Sequence, residues 1–206
     1  MSTPSVRPRR IVTIVEGHGE VQALPVLLWR LHSELAPEVW LDLPRPFRVG
    51  RDSLLVERGI EDAVDAALST AQDVEGLLVL FDSDDDCPAT LGPALRERIE
   101  RARPGLPTAV VLAHREYESW FLAAAPSLRG VQGMAADLDS PPRPEDIRGC
   151  KEWLTRHRPA GRPYKPMEHQ PGLTMAFDIA MARANSPSFD KFCRDVAYLL
   201  TGKRGA

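Results

Sequence analysis

The chain has 206 residues, 43% of them apolar and 27% charged, so it can bury one substantial core but is too short for two full-sized domains. The formal net charge of −3 excludes the uniformly basic surface of a small architectural nucleic-acid binder, although a local basic track is compatible with it. No apolar run approaches the roughly 20 residues that a membrane-spanning helix needs, which excludes a membrane span.

The amino terminus and the cysteines indicate where such a chain works. Residues 1–9 are basic and contain proline and serine, and a β-type run follows them directly, which predicts a short disordered arm and no secretion leader. Cys87, Cys150 and Cys193 are far apart and lack CxxC spacing, so neither a disulfide framework nor a thiolate zinc site is supported. These features predict a protein of the reducing cytoplasm.

Strand and helix patterns alternate along the chain up to residue 125. In chain order, the sequence predicts a strand at 10–15 (RIVTIV), a helix at 21–35, an edge-like strand within 40–49, a helix at 57–72, a strand at 74–81 (VEGLLVLF), a helix at 91–103, a strand at 107–113 and a helix at 116–125. The strand within 40–49 is edge-like because Pro44 and Pro46 cannot donate to a central ladder. This alternation predicts a mainly parallel sheet with helices on both faces, since right-handed crossovers place them there.

The composition changes after residue 125. Prolines and arginines crowd residues 126–172, where only 144–157 has a helical pattern, so this stretch is predicted to be an insertion or a lid. Helices are predicted at 173–184 and 188–200. The predicted organisation is a disordered arm at 1–9, an α/β core at 10–125, and a Pro/Arg-rich segment with C-terminal helices that packs on the core at 126–206.

Acidic residues follow two of the predicted strands, and the first group belongs to EGHGE (16–20). Glu16 comes directly after the first strand, and Glu20, four residues later, falls in the first turn of the next helix. Acids at a helix N-terminus also complement the helix dipole, which is the alternative explanation for Glu20. Because ligands of an open α/β sheet collect beyond the carboxyl ends of the strands, we predict that both glutamates belong to a binding site.

The second acidic group, DSDDD (82–86), follows the most apolar predicted strand and carries four carboxylates within five residues. These carboxylates repel one another unless a cation or full solvation compensates them, so a solvated acidic turn is the alternative. Oxygen ligands without a neighbouring His/Cys cluster suit Mg²⁺ or Mn²⁺ better than Zn²⁺. An EF-hand calcium loop is excluded because Cys87 and Pro93 stand where glycine and a bidentate glutamate are required. We therefore predict a divalent-metal site, which points to phosphoryl-transfer chemistry.

EGxxE at 16–20 followed by DxD at 82–84, each ending a strand, resembles the Toprim fold. Topoisomerases, bacterial primases, small ribonucleases and the overcoming-lysogenization-defect (OLD) nucleases share that fold. The chain further resembles a bacterial family of uncharacterised Toprim-like proteins, often encoded beside ATPases in defence gene clusters, through its segments REYESW (115–120) and SPSFDKF (186–192). The resemblance covers about residues 10–201 and implies a Toprim-like α/β fold.

The resemblance also implies roles for individual residues. It makes Glu16 a metal ligand or general acid/base, Asp82 and Asp84 metal ligands, and Glu20 an additional ligand of the OLD type. OLD-like nucleases take a further acid and a lysine from later in the chain, and the matching positions are Glu116 as a metal ligand, Glu118 and Lys165 as catalytic residues, and Lys151 as the competing lysine. If 116–125 is helical, Glu116 and Glu118 lie on different faces, so only one of them need face the site.

Arginines crowd the segment that precedes Lys165. Arg156, Arg158 and Arg162 lack compensating acids, so we predict that they hold a phosphate backbone. The leading functional hypothesis is a Mg²⁺- or Mn²⁺-dependent nuclease acting on DNA or RNA, in anti-phage defence with an ATPase partner. The alternatives are a non-catalytic Toprim-fold partner or sensor subunit of an ATPase, and a phosphatase of the haloacid-dehalogenase class, whose first strand also ends in DxD.

Overall fold

The computed structural model describes residues 7–203, which are organised by one parallel sheet. Its strands are β1 (Arg9–Val15), β2 (Leu41–Asp42), β3 (Phe47–Arg48), β4 (Gly76–Asp82) and β5 (Thr108–Ala113). The order is β2-β1-β4-β5, and β3 pairs with β1 beyond the two residues that pair with β2. The short strands β2 and β3 thus form one edge, which confirms the edge-like strand predicted for the proline-containing segment.

Helices cover both faces of this sheet. They are α1 (His18–Leu35), α2 (Arg51–Leu55), α3 (Gly59–Leu68), α4 (Pro88–Ala102), α5 (Ser119–Ala123), α6 (Cys150–Arg156), α7 (Pro166–Ala176), α8 (Ile179–Asn185) and α9 (Pro187–Thr201). Short 3-10 turns lie at Ala125–Leu128, Val131–Gly133 and Pro144–Asp146. The α/β class, the mainly parallel sheet and the C-terminal helices are therefore confirmed. Among residues 7–203, no helix combines the length and apolar character that crossing a bilayer requires.

Alternate side chains of the strands enter two separate cores. In β4, Leu77 and Val79 face the core that α2, α3 and α4 complete. Leu78 and Leu80 face the larger core, which α1 and the helices from α5 onward complete. A strand covered on both faces needs apolar residues at successive positions, which accounts for the continuous apolar run in VEGLLVLF.

The C-terminal helices share the larger core with the rest of the chain. α7 packs along α1, and α9 packs on β5 and α1. Trp120 of α5 contacts Phe189 and Phe192 of α9, and its indole N–H donates a hydrogen bond of 2.9 Å to Ser188 Oγ. Ser186 Oγ accepts the N–H of Phe189 and so caps α9. These contacts fix α7 against α1 and α5 against α9, and α6 in turn packs on α5.

Several predicted boundaries differ from the observed ones. A helix at 116–125 is wrong for residues 116–118, because Arg115 adopts a left-handed backbone conformation with φ of 66° and the chain turns before α5 begins. A single helix at 173–184 is also wrong, since α7 ends at Ala176 and Asp178 caps a new helix by accepting the N–H of Met181.

Two observed helices also fall where no helix was predicted, since α2 occupies Arg51–Leu55 and α7 begins at Pro166, within the stretch predicted to be an insertion or a lid. The helix predicted at 144–157 is confirmed only at Cys150–Arg156, because a 3-10 turn and Gly149, with φ of 69°, precede it. Residues 1–6 of the predicted arm lie outside the described residues, and Arg9 belongs to β1.

Candidate active site at the strand ends

The carboxyl ends of β1, β4 and β5 meet at one edge of the sheet. β2 and β3 pair with one side of β1 and β4 pairs with the other, so the gap between β1 and β4 is a switch point of the kind where α/β proteins bind ligands. A pocket of about 340 Å³ opens there. It is lined by Glu16, Gly17, His18, Gly19, Glu20, Asp82, Lys151, Pro166 and Met167.

Asp82 is the last residue of β4, and it is the aspartate of DSDDD that lines this pocket. Its Oδ1 accepts the backbone N–H of Tyr117 at 2.7 Å, and its Oδ2 lies 3.9 Å from Lys151 Nζ. Burial and the nearby Glu118 carboxylate raise the pKa of Asp82 well above its ordinary value, and Lys151 opposes this rise only in part. An ionised Asp82 therefore needs more positive charge than Lys151 alone supplies.

Glu118 is fully buried beside Asp82. Its Oε1 accepts the phenol O–H of Tyr164 at 3.0 Å, and its Oε2 lies 3.6 Å from Lys151 Nζ without any hydrogen-bond partner. Burial raises the pKa of Glu118 to about 7, although Lys151 acts in the opposite direction. Tyr164 donates to Glu118, and burial together with this carboxylate raises the pKa of its phenol, so Tyr164 remains a donor at neutral pH.

Lys151 lies in the first turn of α6 and joins three acids. Its Nζ is 3.1 Å from Glu116 Oε2, in addition to its approaches to Asp82 and Glu118. The N–H of Cys150 donates to the other oxygen of Glu116 at 3.0 Å, which fixes that carboxylate at the start of the helix. Burial disfavours the charged lysine, but the carboxylates of Glu118, Asp82 and Glu116 outweigh it and raise the pKa of Lys151. We call Asp82, Glu116, Glu118 and Lys151 the acid–lysine cluster.

The two glutamates of EGHGE approach this cluster from β1 and α1. Glu16 Oε2 is 3.4 Å from the N–H of Asp82, and burial, followed by the charges of Asp84 and Glu20, raises the pKa of Glu16. Glu20 is almost completely buried, and its Oε1 accepts a hydrogen bond of 3.2 Å from Gln170 Nε2 of α7. Its Oε2 has no hydrogen-bond partner. Both glutamates therefore belong to the same strongly acidic environment as Asp82.

The glycines of EGHGE are required by close packing at the start of α1. A Cβ on Gly17 would strike the Glu20 carboxylate, and a Cβ on Gly19 would strike the side-chain amide of Gln170 and lie 3.0 Å from Pro166 Cβ. Neither glycine has a left-handed backbone, so contact and not conformation excludes a side chain. α7 can approach α1 closely only because position 19 lacks a Cβ.

The other three aspartates of DSDDD lie at the rim and pair with arginines. Asp84 is 3.5 Å from Arg51 and has 60% of its side chain exposed, and Asp86 also contacts Arg51. Asp85 pairs with two further arginines. Asp84, which was predicted to bind metal, is close enough to Glu16 to raise its pKa but is held by Arg51. The rim acids thus compensate arginines, while Asp82 faces the pocket.

The predicted lysine and arginines lie apart from the pocket lining. Lys165 Nζ pairs with Glu168 at 2.8 Å, and both side chains are 57% exposed. Arg158 donates to the carbonyl oxygens of Gln132 and Arg162, so it holds loops together. Arg156 and Arg162 are exposed and make no ion pair within residues 7–203. The structure brings the competing lysine, Lys151, to the acids, together with both Glu116 and Glu118.

Comparison with known proteins assigns the chain to a family. A family model described as "Domain of unknown function (DUF4276)" matches residues 15–197. The chain belongs to the DUF4276 family. Neither the curated proteins nor the solved structures give a match. The matched span contains EGHGE, DSDDD and all four members of the acid–lysine cluster, so the pocket lies within the part of the chain that belongs to the DUF4276 domain.

The pocket offers carboxylate oxygens, which are ligands that divalent cations prefer, but these oxygens are not gathered into a complete metal site. Within residues 7–203, no three His, Cys, Asp or Glu side chains are gathered so as to hold a metal ion as they stand. However, Glu20 Oε2 and Glu118 Oε2 are buried without a hydrogen-bond partner, and such oxygens are costly to bury. The residues therefore fit a divalent cation in donor type and unmet bonding capacity, while Lys151 supplies the positive charge in the arrangement described.

Two side chains of this DUF4276 site were not foreseen. Tyr164 and Gln170 bond to Glu118 and Glu20, and they come from the segment before α7 and from α7 itself. Neither residue stands in a pattern that the sequence marks as functional. Only the docking of α7 onto α1 shows that a buried tyrosine and a buried glutamine meet these acids.

Raised carboxylate pKa values predict that the metal-free protein loses stability as pH rises. Since the folded state raises the pKa of Glu118 from 4.5 to about 7, its contribution is complete below pH 4.5 and is lost as pH rises through 7. The opposing effect of Lys151 is already contained in this raised pKa, so we expect a loss of about 2 to 3 kcal/mol between pH 5 and 8. Unfolding of wild type and Glu118→Gln should be measured in chelator from pH 5 to 8. Parallel curves for the two proteins would contradict this expectation.

Proposed function

We propose that this protein hydrolyses phosphodiester bonds of nucleic acid with Mg²⁺ or Mn²⁺. The observation that carries the proposal is the convergence of carboxylates from three strand ends: Glu16, Glu20 and Asp82 line one pocket with Lys151, and Lys151 also contacts Glu116 and Glu118. Burial and mutual repulsion raise the pKa values of Glu16, Asp82 and Glu118, so their ionised forms are costly here, and a bound cation would lower that cost. Clustered, partly desolvated acids with perturbed pKa values beside a cleft are candidates for a functional site.

Glu16, Glu20, Asp82 and Glu118 are the residues that would hold the cation. Glu20 and Glu118 each keep one buried oxygen without a hydrogen-bond partner. Their other oxygens are oriented by Gln170 and Tyr164, as supporting residues orient metal ligands. When bound, the cation would supply Lewis acidity and a water of lowered pKa. Glu16, at the mouth of the pocket, would then accept a proton from the attacking water.

Lys151 would have two functions in this reaction. In the metal-free protein its ammonium group is the counter-charge of Asp82, Glu116 and Glu118. Because its Nζ also lines the pocket, it would stabilise the negative charge that develops on the phosphate in the transition state. We therefore assign to Lys151 the role that the resemblance to OLD nucleases gave to Lys165.

The resemblance to Toprim proteins supports nucleic acid as the substrate. EGxxE and DxD end β1 and β4, two adjacent parallel strands, and Glu16 and Asp82 approach each other there. The same resemblance supports an ATPase as partner and a role in anti-phage defence. Cys87, Cys150 and Cys193 are free thiols, as suits a protein of the reducing cytoplasm.

The experiment that tests this function is a cleavage assay on the purified protein. The protein, alone and with a candidate ATPase partner, should be incubated with single- and double-stranded DNA and RNA in Mg²⁺ or Mn²⁺. An aryl phosphomonoester should serve as a control substrate. We expect cleavage of at least one nucleic acid that stops on addition of chelator. Hydrolysis of the monoester alone would instead support the haloacid-dehalogenase alternative. No cleavage under any of these conditions would contradict the proposal.

A specific observation favours a second candidate, a non-catalytic subunit of an ATPase. Lys151 already pairs with three acids, and no metal site is preassembled within residues 7–203. A stable ion-pair cluster would serve a structural role without any metal. Calorimetric titration with Mn²⁺ separates the two candidates, because the proposed enzyme must bind Mn²⁺ and release protons from its acids, whereas an inert cluster must not.

A further inference from the structure

Asp85 is shared by two arginines from different parts of the chain. Its Oδ1 lies 2.6 Å from Arg115 Nη1 and 2.6 Å from Arg148 Nη1. Arg115 follows β5, whereas Arg148 precedes α6, the helix that begins with Cys150 and Lys151. Two guanidinium groups held on one exposed carboxylate form an arrangement that a phosphate group also satisfies, because phosphate offers more acceptor oxygens and more charge.

Arg115 is fixed in position by its backbone. Its φ of 66° is uncommon for a residue with a side chain. Asp84 also has a positive φ, of 49°, and its N–H donates a hydrogen bond of 3.1 Å to the carbonyl oxygen of Arg115. The N–H of Arg115 donates to the buried hydroxyl of Ser83 at 2.9 Å. The Nε of Arg115 is buried and has no hydrogen-bond partner. The guanidinium is held at the rim, where its Nη1 also donates to the carbonyl oxygen of Asp84 at 2.9 Å.

Arg148 and Asp85 are the most exposed members of this group. Their side chains are 69% and 73% exposed, and Asp85 is the acid with which Arg148 pairs among residues 7–203. An exposed pair of this kind contributes about 0 to 1 kcal/mol, so displacing Asp85 costs little. Arg51, on the other side of DSDDD, differs because Asp84 and Asp86 both hold it and its side chain is only 16% exposed.

The arginine pair lies directly beside the acid–lysine cluster. A second pocket of about 260 Å³ is lined by Asp84, Asp85, Arg115, Glu116, Arg148 and Gly149. Glu116 connects the acid–lysine cluster with this second pocket, because its Oε2 contacts Lys151 and the residue also lines the pocket. Lys151 lies in one pocket, and Arg115 and Arg148 line the next. Successive phosphates of one nucleic-acid strand can occupy two such neighbouring pockets.

We propose that Arg115 and Arg148 form an anion subsite for a backbone phosphate next to the scissile one, and that Asp85 occupies this subsite in the free protein. The identification of the anion as nucleic-acid backbone rests on the proposed function. Asp85 acts as a weak competitor: it neutralises the two arginines until a phosphate displaces it. This subsite, and not the arginines at 156–162, positions the strand across the carboxylates.

The test measures binding in chelator, so that no cleavage takes place. Affinity for a fluorescent single-stranded oligonucleotide should be compared for wild type, Asp85→Asn and Asp137→Asn. Asp137 is an exposed aspartate without an ion pair in the described part of the chain, so its substitution changes the net charge equally. We expect Asp85→Asn to tighten binding about 5- to 10-fold at low salt and Asp137→Asn to change it less than about 2-fold.

A second variant shows whether the arginines are responsible. Adding Arg148→Ala to Asp85→Asn should remove the gain and make the salt dependence of binding less steep, because one phosphate contact is lost. If the two Asp→Asn variants change the affinity for the oligonucleotide equally, or if Arg148→Ala does not change it, the proposed subsite would be contradicted. Inorganic phosphate should also be tested as a competitor. If it displaces the oligonucleotide when the two are present at equal total phosphate concentration, the assignment of the anion to a nucleic-acid backbone would be contradicted. If binding tightens in Asp85→Asn but no nucleic acid is cleaved with Mn²⁺, the subsite stands and the hydrolytic function fails.

Discussion

Asp82→Asn is expected to lower phosphodiester hydrolysis on the order of 10² to 10³-fold without lowering thermal stability. Asparagine retains the oxygen that accepts the Tyr117 N–H, but it cannot supply the charge that a cation requires. Because burial and Glu118 raise the pKa of Asp82, the ionised carboxylate is unfavourable in the metal-free fold, and its removal relieves that cost. The melting temperature at pH 8 should therefore stay equal or rise while activity disappears.

Asp86→Asn is the matched control for this experiment, since it removes the same charge from the same segment. The Asp86 side chain is 51% exposed at the rim, and Asp84 still pairs with Arg51 when Asp86 loses its charge. We expect near wild-type activity in Asp86→Asn. Equal activity losses in both variants would show that DSDDD acts through its overall charge, and an active Asp82→Asn protein would assign the site a non-catalytic role.

Lys151→Met is expected to destabilise the protein by about 2 to 3 kcal/mol, less than for a fully buried ion pair because the lysine side chain is 39% exposed. The substitution leaves Asp82, Glu116 and Glu118 without a counter-charge in the metal-free state. Adding Glu118→Gln to Lys151→Met should restore more than about 1 kcal/mol, because the most buried of these acids is then neutral. Denaturant unfolding of the four proteins of this double-mutant cycle gives the coupling directly.

Lys165→Met provides the control for Lys151→Met, since both changes remove one ammonium group. Lys165 pairs with Glu168 on the surface, so its replacement should change the free energy of unfolding by less than about 0.5 kcal/mol. Hydrolysis should fall on the order of 10²-fold in Lys151→Met and remain in Lys165→Met. If Lys151→Met and Glu118→Gln change the free energy of unfolding additively, or if the two lysine variants have equal effects, Lys151 is not a functional part of the site.

Much of the site could be predicted because its first members stand at the ends of strands. The strand ending at Val15 and the strand ending at Asp82 are adjacent and parallel, so Glu16 and Asp82 necessarily share one edge of the sheet. Glu20 followed from the tight EGHGE turn, in which the acid belongs to the first helical turn. These placements depend on local patterns and on the chirality of crossovers, which a single sequence contains.

Local pattern could not decide which way the later side chains point. Glu116 and Glu118 both reach Lys151 because the left-handed Arg115 replaces the expected helix with a turn, and helical geometry would have separated them. The same turn, joined to Ser83 and Asp84, directs Asp84 to the rim while Asp82 remains inside. A left-handed arginine has no signature in sequence, since glycine and asparagine are the residues that normally signal it.

The sequence by itself determined the α/β alternation, the parallel sheet and the two acidic strand ends, because apolar periodicity and turn residues act over short distances. Only the tertiary structure decided that Lys151 and not Lys165 faces the acids. Both lysines precede or begin a short helix in a segment rich in proline and arginine, and nothing local distinguishes them. The two lysines are distinguished by the docking of α6 on α5 and of α7 along α1. This docking places Lys151 among the carboxylates and leaves Lys165 in solvent.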